Sequence, residues 1–415
     1  IREKFLRQQR DIQTVPDLNS IHIGNCIAEH KLRENRYNSV LFFEGAFNME
    51  PLPMETNTVE KMMLRRAASA QRPINGSLEL LPLCNMRCDM CYVRLSRFET
   101  EKKGGLRTAD EWIRLGREMQ TAGVLFLLLT GGEPLLFPEF KRLYTELKRM
   151  GMILTINTNG TLLNEEWADF FESDRPRRIN ITLYGADDRA YEELCHYPGG
   201  FEKTIHGIRL LKERGIDVKI NGSVTKSNQN DMKKIYDIGR ALGVPVHMDT
   251  YMLPGLHERS LPFEQQSRLA PEEAAAAELE TIRSELVPEL FPEYIEQKLI
   301  QIEKGASIYP VGITCMAGNC SFAVNWQGEM RPCVTLEEPS VPVFETGFEA
   351  AWNKMAKEAK LLKGSEKCSK CSLRPICKTC VASAWLETGA YDGVPEYLCR
   401  YAREYRRLLC EAKNI

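Results

Sequence analysis

Three cysteines within eight residues constrain this chain more than any other feature. Cys84, Cys88 and Cys91 have the spacing CxxxCxxC and follow an apolar run, Ser77 to Leu83, which predicts a buried strand. The next cysteine along the chain, Cys195, lies more than a hundred residues later. The three thiols therefore form an isolated triplet on a loop that follows a strand.

An isolated triplet of thiols indicates an iron–sulfur cluster. A zinc loop or a disulfide is the alternative, but zinc sites favour paired CxxC ligands and closure by four ligands. A [4Fe–4S] cluster takes four thiolate ligands, and this loop supplies three. One iron would stay open for a small molecule, as a catalytic zinc keeps one position free.

The triplet resembles the signature of the radical S-adenosylmethionine enzymes, with Met90 before the last cysteine and Tyr92 after it. The resemblance implies that Cys84, Cys88 and Cys91 hold the catalytic cluster and that Tyr92 contacts the cofactor. It also implies that the open iron chelates the amino and carboxylate groups of S-adenosylmethionine. One electron would then split the sulfonium and yield a 5′-deoxyadenosyl radical, which takes hydrogen from an unactivated C–H bond.

Strands and helices alternate after Ser77, which predicts a parallel sheet and, with the resemblance, a partial (β/α)6 barrel. The predicted strands cover residues 77–83, 124–129, 152–157, 178–183, 217–225 and 245–251. In such folds the chemistry lies at the carboxyl ends of the strands. The cysteine loop and the turns after the second, third and fourth strands should therefore meet there.

The turn Gly131-Gly132-Glu133-Pro134 follows the second predicted strand. Its glycines would let the backbone approach a ligand closely. The turn resembles the family element whose backbone meets the methionine amino group. Four further polar residues are predicted S-adenosylmethionine contacts, with strand-end capping as the alternative: Asn157, Asn159, Thr182 and Ser223. Tyr184 stands where the family usually has an acid.

Eight cysteines near the C-terminus form the second pattern. A zinc ribbon made by the two CxxC pairs is the alternative, but only five residues separate the pairs and four cysteines would stay unused. The pattern resembles the SPASM domain, which binds auxiliary iron–sulfur clusters. The resemblance implies two auxiliary [4Fe–4S] clusters, and so three clusters in all. One would be held by Cys315, Cys320, Cys333 and Cys380, and the other by Cys368, Cys371, Cys377 and Cys399.

These patterns predict three parts of the chain. Residues 1–76 form an N-terminal extension, either a cap on the barrel or a leader-peptide-binding region, with a possible strand at Asn38–Phe43 and a helix at Val59–Ala70. Residues 77–304 form the radical S-adenosylmethionine barrel. Residues 305–415 form the auxiliary iron–sulfur domain.

Composition excludes several classes of partner. Lys plus Arg (55) nearly balance Asp plus Glu (57), so no net charge favours nucleic acid or an anionic membrane. The longest strongly apolar run, Val124 to Leu129, is too short to span a bilayer. Residues 1–20 lack an apolar signal core, and fourteen cysteines then indicate metal chemistry in a reducing cytoplasm. The chain does not begin with Met, so we expect residues to precede it.

The resemblance implies that the substrate is a peptide or protein with a leader segment, and that a flavodoxin or ferredoxin-type protein donates electrons. We expect a thioether or carbon–carbon crosslink in a ribosomally made peptide. Epimerisation, with Cys195 returning a hydrogen atom, and haem-precursor chemistry are alternatives; so is sulfatase maturation, disfavoured because Val334 replaces an Asp. Simple burial is the alternative role of Cys195, and Cys26 and Cys410 are left over. A non-enzymatic iron–sulfur or zinc scaffold is the last alternative.

Overall fold

The computed structural model describes residues 54–254, 267–304 and 309–414. The predicted strand at Asn38–Phe43 and the leftover Cys26 lie outside these residues. Residues 52–415 form one unit, and the domain boundaries at 76 and 304 remain predictions.

Nine described strands form one sheet in the order β6-β5-β4-β3-β2-β1-β7-β8-β9. The strands are β1 Asn75–Glu79, β2 Phe126–Thr130, β3 Ile153–Thr158, β4 Arg178–Thr182, β5 Val218–Ser223, β6 Val246–Asp249, β7 Ser321–Val324, β8 Glu329–Arg331 and β9 Val341–Pro342. All neighbours from β1 to β6 pair in parallel, so the predicted six-stranded partial barrel is confirmed.

Helices connect these strands and cover the sheet. The barrel part contains α1 Met54–Ser69, α2 Arg97–Lys102, α3 Ala109–Ala122, α4 Phe140–Arg149, α5 Glu165–Ser173, α6 Asp188–Cys195, α7 Gly200–Glu213, α8 Met232–Leu242, α9 Pro271–Glu285 and α10 Phe291–Glu303. The C-terminal part contains α11 Val343–Thr346, α12 Phe348–Ala359, α13 Glu366–Ser369, α14 Val381–Thr388 and α15 Glu396–Lys413. No described helix is long and apolar enough to cross a membrane.

Local sequence explains where the barrel helices begin and end. Thr108 caps α3 with its side chain, which accepts from the Glu111 amide while the Glu111 carboxylate accepts from the Thr108 amide. The helix ends at Gly123, whose φ of 88° is left-handed and therefore favours glycine. The short connection after this glycine leads directly into β2, which begins at Phe126. The last residue of the strand, Thr130, precedes the glycine turn.

The C-terminal part extends the barrel sheet. Strand β7 pairs in parallel with β1, on the side opposite β2, and β8 and β9 continue antiparallel. The guanidinium of Arg107, just before α3, donates to the carbonyl oxygen of Gln327 in the β7–β8 turn. The carboxylate of Glu118 on α3 accepts from the backbone amide of Phe348 at the start of α12. The strand that leads to the cysteine triplet is therefore flanked by both parts of the chain.

Candidate functional site

The cysteine triplet lies on a loop that leaves the carboxyl end of β1. Cys88 is buried, and Cys84 and Cys91 are half-buried. Backbone amides donate to two of the sulfurs: Met86 N lies 3.4 Å from Cys84 Sγ, and Arg94 N lies 3.4 Å from Cys91 Sγ. Burial raises the pKa of Cys84 to about 12, and the nearby Cys88 and Cys91 contribute to the increase. Two of the three sulfurs thus each accept from a backbone amide of their own loop.

The turn at Gly131 and Gly132 packs against the backbone of this same loop. The Gly132 amide donates to the Leu81 carbonyl at 2.7 Å, and the Glu133 amide donates to the Leu83 carbonyl at 2.9 Å. A Cβ on Gly131 would lie 2.5 Å from the Leu81 carbonyl oxygen, and one on Gly132 would lie 2.2 Å from that of Leu83. The glycines thus permit close approach to the chain's own backbone, a contact that the sequence analysis did not foresee.

Glu133 links this turn to the end of β3. Its side chain is 0% exposed, and its carboxylate accepts from Thr158 Oγ1 at 2.7 Å and from the Asn159 amide at 2.8 Å. Burial raises the pKa of this carboxyl to about 7, although the hydrogen bonds oppose the shift. Pro134 follows at the start of a short 3₁₀ helix and fixes the chain direction after the turn. Glu133 is therefore a buried connector between two strand ends.

Asn159 contacts the cysteine loop. Its side-chain amide donates to Asn85 Oδ1 at 2.9 Å and lies 3.7 Å from Cys84 Sγ. Thr161 joins the same group, because its hydroxyl lies 2.6 Å from Asn159 Oδ1 and accepts from Asn85 Nδ2 at 2.9 Å. In this structure Asn159 supports the loop, and its contact with S-adenosylmethionine remains a prediction. Asn85, which the sequence analysis missed, carries no signal beyond its place between two cysteines.

Alternate residues of β3, β4 and β5 are only partly buried, which defines one polar face of the sheet. Three predicted residues, Asn157, Thr182 and Ser223, lie on this face. Asn157 Oδ1 accepts from Asn180 Nδ2 at 2.7 Å. The side-chain oxygen of Asn221 is buried without a hydrogen-bond partner among the described residues. An unpaired buried acceptor fits a ligand donor, such as a hydroxyl or amino group. The sequence analysis missed Asn180 and Asn221, although the two-residue alternation points to both.

Cys195, the last residue of α6, is 0% exposed and lies beside Cys88. Tyr184 and Cys88 influence each other's pKa, and burial raises the pKa of Tyr184 well above its ordinary value. The predicted role of Cys195 as a hydrogen-atom donor remains a prediction. Cys410, by contrast, is exposed on α15.

Tyr92 connects the triplet to the C-terminal cysteines. Its side chain is half-buried, and burial raises the pKa of its hydroxyl, with further contributions from Glu79, Cys91 and Cys333. Glu79 ends β1 and is itself buried. Cys91 of the cysteine loop and Cys333 of the C-terminal part therefore both interact electrostatically with one tyrosine.

The C-terminal cysteines separate into two groups by their mutual charge interactions. Burial raises the pKa of Cys315 to about 12, with contributions from Cys333 and Cys380. Burial likewise raises the pKa of Cys377 to about 12, with contributions from the second group. That group contains Cys368, Cys371, Cys377 and Cys399.

Cys320 stands apart from both groups. It is fully buried, and burial alone raises its pKa to about 11. Its carbonyl oxygen accepts from the amides of Ile74 and Asn75 at the start of β1. The two predicted ligand sets, with Cys320 in the first, stay predictions.

The donor set suits iron–sulfur clusters. In the described part of the chain, no three His, Cys, Asp or Glu side chains meet closely enough to hold a single metal ion. Each cysteine of a cubane binds a different iron, so its ligands do not need to meet at one point. Cysteine thiolates are soft ligands, which select iron–sulfur clusters over hard cations. The triplet on the β1 loop therefore fits three corners of one cluster.

Comparison with known proteins identifies the barrel. Residues 78–258 match the family model of the radical SAM superfamily. The chain is 26% identical over 338 residues to the AdoMet-dependent heme synthase of Methanosarcina barkeri, which covers 75% of this chain and 92% of the relative. It is 24% identical over 165 residues to the sporulation killing factor maturation protein SkfB of Bacillus subtilis, covering 40% of this chain and 39% of SkfB.

A solved structure shows the same fold. SuiB of Streptococcus suis aligns with a TM-score of 0.59 over 90% of this chain and 88% of SuiB, at 15% sequence identity. The resemblance to radical SAM maturases that the cysteine motifs predict is thereby confirmed. A radical SAM domain implies S-adenosylmethionine and a [4Fe–4S] cluster as cofactors. Residues 78–258 are therefore a radical SAM domain, and the chain resembles the radical SAM enzymes.

Proposed function

We propose that this enzyme abstracts hydrogen from a ribosomally made peptide and installs a thioether or carbon–carbon crosslink. Cys84, Cys88 and Cys91 hold the catalytic cluster, and the two C-terminal groups of cysteines hold auxiliary clusters. When bound, these groups and S-adenosylmethionine supply a 5′-deoxyadenosyl radical and an acceptor for the electron that crosslinking releases. A crosslink then removes two hydrogens from the peptide, one as an atom and one as a proton plus an electron.

The position of Tyr92 carries this proposal. Its neighbours include Cys91 of the triplet and Cys333 of the C-terminal part. A substrate radical formed beside the triplet would therefore arise close to the auxiliary thiols. This proximity suits a net oxidation, because the electron that crosslinking releases would have a short path from the substrate to an auxiliary cluster.

Charge at the barrel's end favours a peptide over a highly anionic substrate. Arg268 is 2% exposed and already bonds the carboxylate of Glu387, and Lys378 bonds the carboxylate of Glu278 at 2.7 Å. These cations are neutralised by the chain itself. A macrocycle with several carboxylates would need cationic partners, since buried charges require pairing.

Two of the similar proteins support the peptide assignment. SkfB is a maturation protein by name, and SuiB has been solved with its precursor peptide SuiA. By the same analogy, we infer a leader segment on the substrate, residues 1–76 as a region that contacts it, and a flavodoxin or ferredoxin-type electron donor.

Haem-type chemistry is the second candidate, because the heme synthase of Methanosarcina barkeri aligns along 92% of its length. Under that assignment the substrate is a tetrapyrrole. Lys378 and Arg268, which bond Glu278 and Glu387, would then have to bond the carboxylates of the substrate instead when it enters.

The test compares the two substrates with one enzyme preparation. The anaerobically reconstituted protein is incubated with S-adenosylmethionine, a reductant and either a precursor peptide encoded beside its gene or an iron porphyrin with carboxylate side chains. We expect 5′-deoxyadenosine and a peptide that is lighter by two hydrogens. Cys88→Ala serves as the inactive control.

Other products would assign other reactions. A product peptide with unchanged mass in H2O and one added deuterium in D2O would assign epimerisation in place of crosslinking. Turnover of the porphyrin, with the peptide left intact, would replace the proposal by the haem-type function.

A further inference from the structure

The segment that leads into the second group of cysteines is strongly basic. Between Glu358 and Glu387 the chain has a single acidic residue, Glu366. The same stretch has six basic residues: Lys360, Lys363, Lys367, Lys370, Arg374 and Lys378. The whole chain has 55 basic and 57 acidic residues, so this excess of positive charge is local. A run of like charges is either a solvated face or an interaction surface.

The cations nearest the second group are exposed and not neutralised by the protein. Lys363, Lys367 and Lys370 are all exposed. Neither Lys363 nor Lys367 has an ion-pair partner among the described residues. Lys370 lies 3.8 Å from Glu366, and their side chains are 66% and 80% exposed, so solvent screens this pair. The surface therefore keeps its positive charge available for a partner.

Cysteine sulfur reaches the surface in the same stretch. Cys371 is exposed and Cys368 is half-buried, whereas no member of the triplet on the β1 loop is exposed. Cys380 of the first group is exposed as well, but the nearby Lys378 is paired with Glu278 of α9 at 2.7 Å. Unpaired positive charge and an exposed thiol thus occur together beside Cys371.

The backbone of this segment is anchored. The amide of Gly364 donates to the Val311 carbonyl at 2.5 Å, and the carbonyl of Ser369 accepts from the Tyr309 amide at 3.1 Å. Leu361, which precedes these contacts, has a side chain that is 72% exposed. An exposed apolar side chain with charged neighbours has the composition of a protein interface, which combines an apolar core with a polar rim. The lysines and Leu361 therefore stand on a preformed surface.

We propose that Leu361, Lys363, Lys367 and Lys370 form a docking surface for an acidic one-electron carrier protein. Opposite charge on the two faces steers their encounter. In the docked complex the reduced carrier is oxidised by one electron, and the enzyme is reduced by one electron on the side of Cys371. The inference rests on the proposed function in one respect, that the enzyme needs an electron donor.

A substrate peptide fits this surface less well than a carrier does. The part of a substrate that loses hydrogen must reach the triplet on the β1 loop, and no thiol of that triplet is exposed. A carrier needs only to approach a redox group at the surface, and Cys371 belongs to the group that is exposed beside the free lysines. The combination of charge and exposed sulfur therefore favours the carrier.

The test uses the full-length, iron-loaded enzyme and measures its Kd for the ferredoxin and the flavodoxin encoded in the same genome, at low and at high salt. Lys363→Glu/Lys367→Glu reverses two charges on the surface, and Leu361→Ser removes the apolar side chain. Arg209→Glu/Lys233→Glu makes the same change of net charge at exposed positions of α7 and α8 and is the matched control. Iron content is measured for each protein.

We expect the wild type to bind one of the carriers, and to bind it more weakly at high salt, because salt screens exposed charges. Lys363→Glu/Lys367→Glu should weaken this binding about tenfold at low salt. Leu361→Ser should weaken it at both salt concentrations, and the control should keep the wild-type affinity. Formation of 5′-deoxyadenosine should slow in Lys363→Glu/Lys367→Glu when the reduced carrier is the electron source, and should not change with dithionite.

The proposal is overturned if neither carrier binds, or if Lys363→Glu/Lys367→Glu binds the carrier as tightly as the wild type does. Loss of precursor-peptide binding in that variant, with carrier affinity unchanged, would assign the surface to the substrate instead. If that variant loses iron, Leu361→Ser decides by the same comparison of affinities. Dithionite replaces the carrier, so a failure of crosslinking with dithionite counts against the proposed function and not against the docking surface.

Discussion

At the scale of single residues, the site is organised by contacts between strand ends. Gly132 lies against the carbonyl of Leu83, one residue before Cys84, and Glu133 bonds the residues that end β3. The position of the cysteine loop therefore depends on whether a neighbouring turn is free of side chains. A change at Gly132 therefore acts on the cysteine loop through the backbone, without touching a cysteine side chain.

We predict that Gly132→Ala destabilises the protein by about 3 kcal/mol, as expected for an overpacked core, and reduces cluster incorporation. The added Cβ would meet the Leu83 carbonyl oxygen at 2.2 Å. Thermal unfolding and iron content per chain measure the two effects. Gly312→Ala is the control, because the contact there, with the Leu362 carbonyl oxygen, is an ordinary 3.6 Å. Equal behaviour of the two variants would contradict the packing argument.

At the scale of elements, α9 joins the last barrel strand to the C-terminal part. Glu285 at its end accepts from Tyr236 at 2.8 Å and lies 3.0 Å from His247 Nδ1 on β6. Glu278, two turns earlier, accepts from Thr250 and from Lys378. One helix thus bonds β6 through Glu285, and through Glu278 it bonds both the residue after β6 and the cysteine-rich part.

The contact at His247 predicts a dependence of stability on pH. Burial alone would lower the pKa of His247, but Asp249 and Glu285 raise it to about 9. The folded-state pKa is above the ordinary 6.5, so the stabilisation is complete below about pH 6.5 and is lost as pH rises through 9. We expect a loss of about 1–3 kcal/mol over this window, because the half-exposed Asp249 is screened by solvent.

Thermal melts of wild type and His247→Gln between pH 6 and pH 10 measure this loss. The variant should have a flatter profile, whereas His206→Gln, at an exposed position on α7, should keep the wild-type slope. Parallel profiles for wild type and His247→Gln would show that this histidine does not cause the loss of stability at high pH.

At the scale of the whole molecule, the barrel and the C-terminal part share one sheet and one buried ion pair. Arg268, just before α9, bonds Glu387 at the end of α14, and its guanidinium lies 3.7 Å from the centre of the Tyr397 ring. The Glu387 carboxylate also accepts from Tyr251 at 2.7 Å, just beyond β6. These contacts hold the helix that follows Cys380 against the end of the barrel.

We predict that Arg268→Met or Glu387→Gln alone costs about 3–5 kcal/mol, because each leaves a buried group without its partner. The double variant should lose less than the sum of the two single losses. Thermal or denaturant unfolding of the four proteins forms the cycle. Strict additivity would mean that the two side chains do not stabilise each other.

Local patterns predicted the barrel because each strand and helix carries its own periodicity. All six predicted barrel strands are present, and they differ from the prediction mainly at their ends. The pairing of β7 with β1 had no local signal, since these strands are more than two hundred residues apart. The same holds for the site: spacing identified Cys84, Cys88 and Cys91, but the contacts of Gly132 and Tyr184 depend on the folded chain.

The central claim is that the β1 loop holds a cluster with one iron open to S-adenosylmethionine. Its most direct test is 5′-deoxyadenosine formation by the anaerobically reconstituted protein with S-adenosylmethionine and dithionite. We predict product from wild type and Cys410→Ala, and none from Cys88→Ala, which should retain most of the absorbance of the auxiliary clusters. Iron-loaded wild-type protein that forms no 5′-deoxyadenosine, or Cys88→Ala that forms as much as wild type, would contradict the claim.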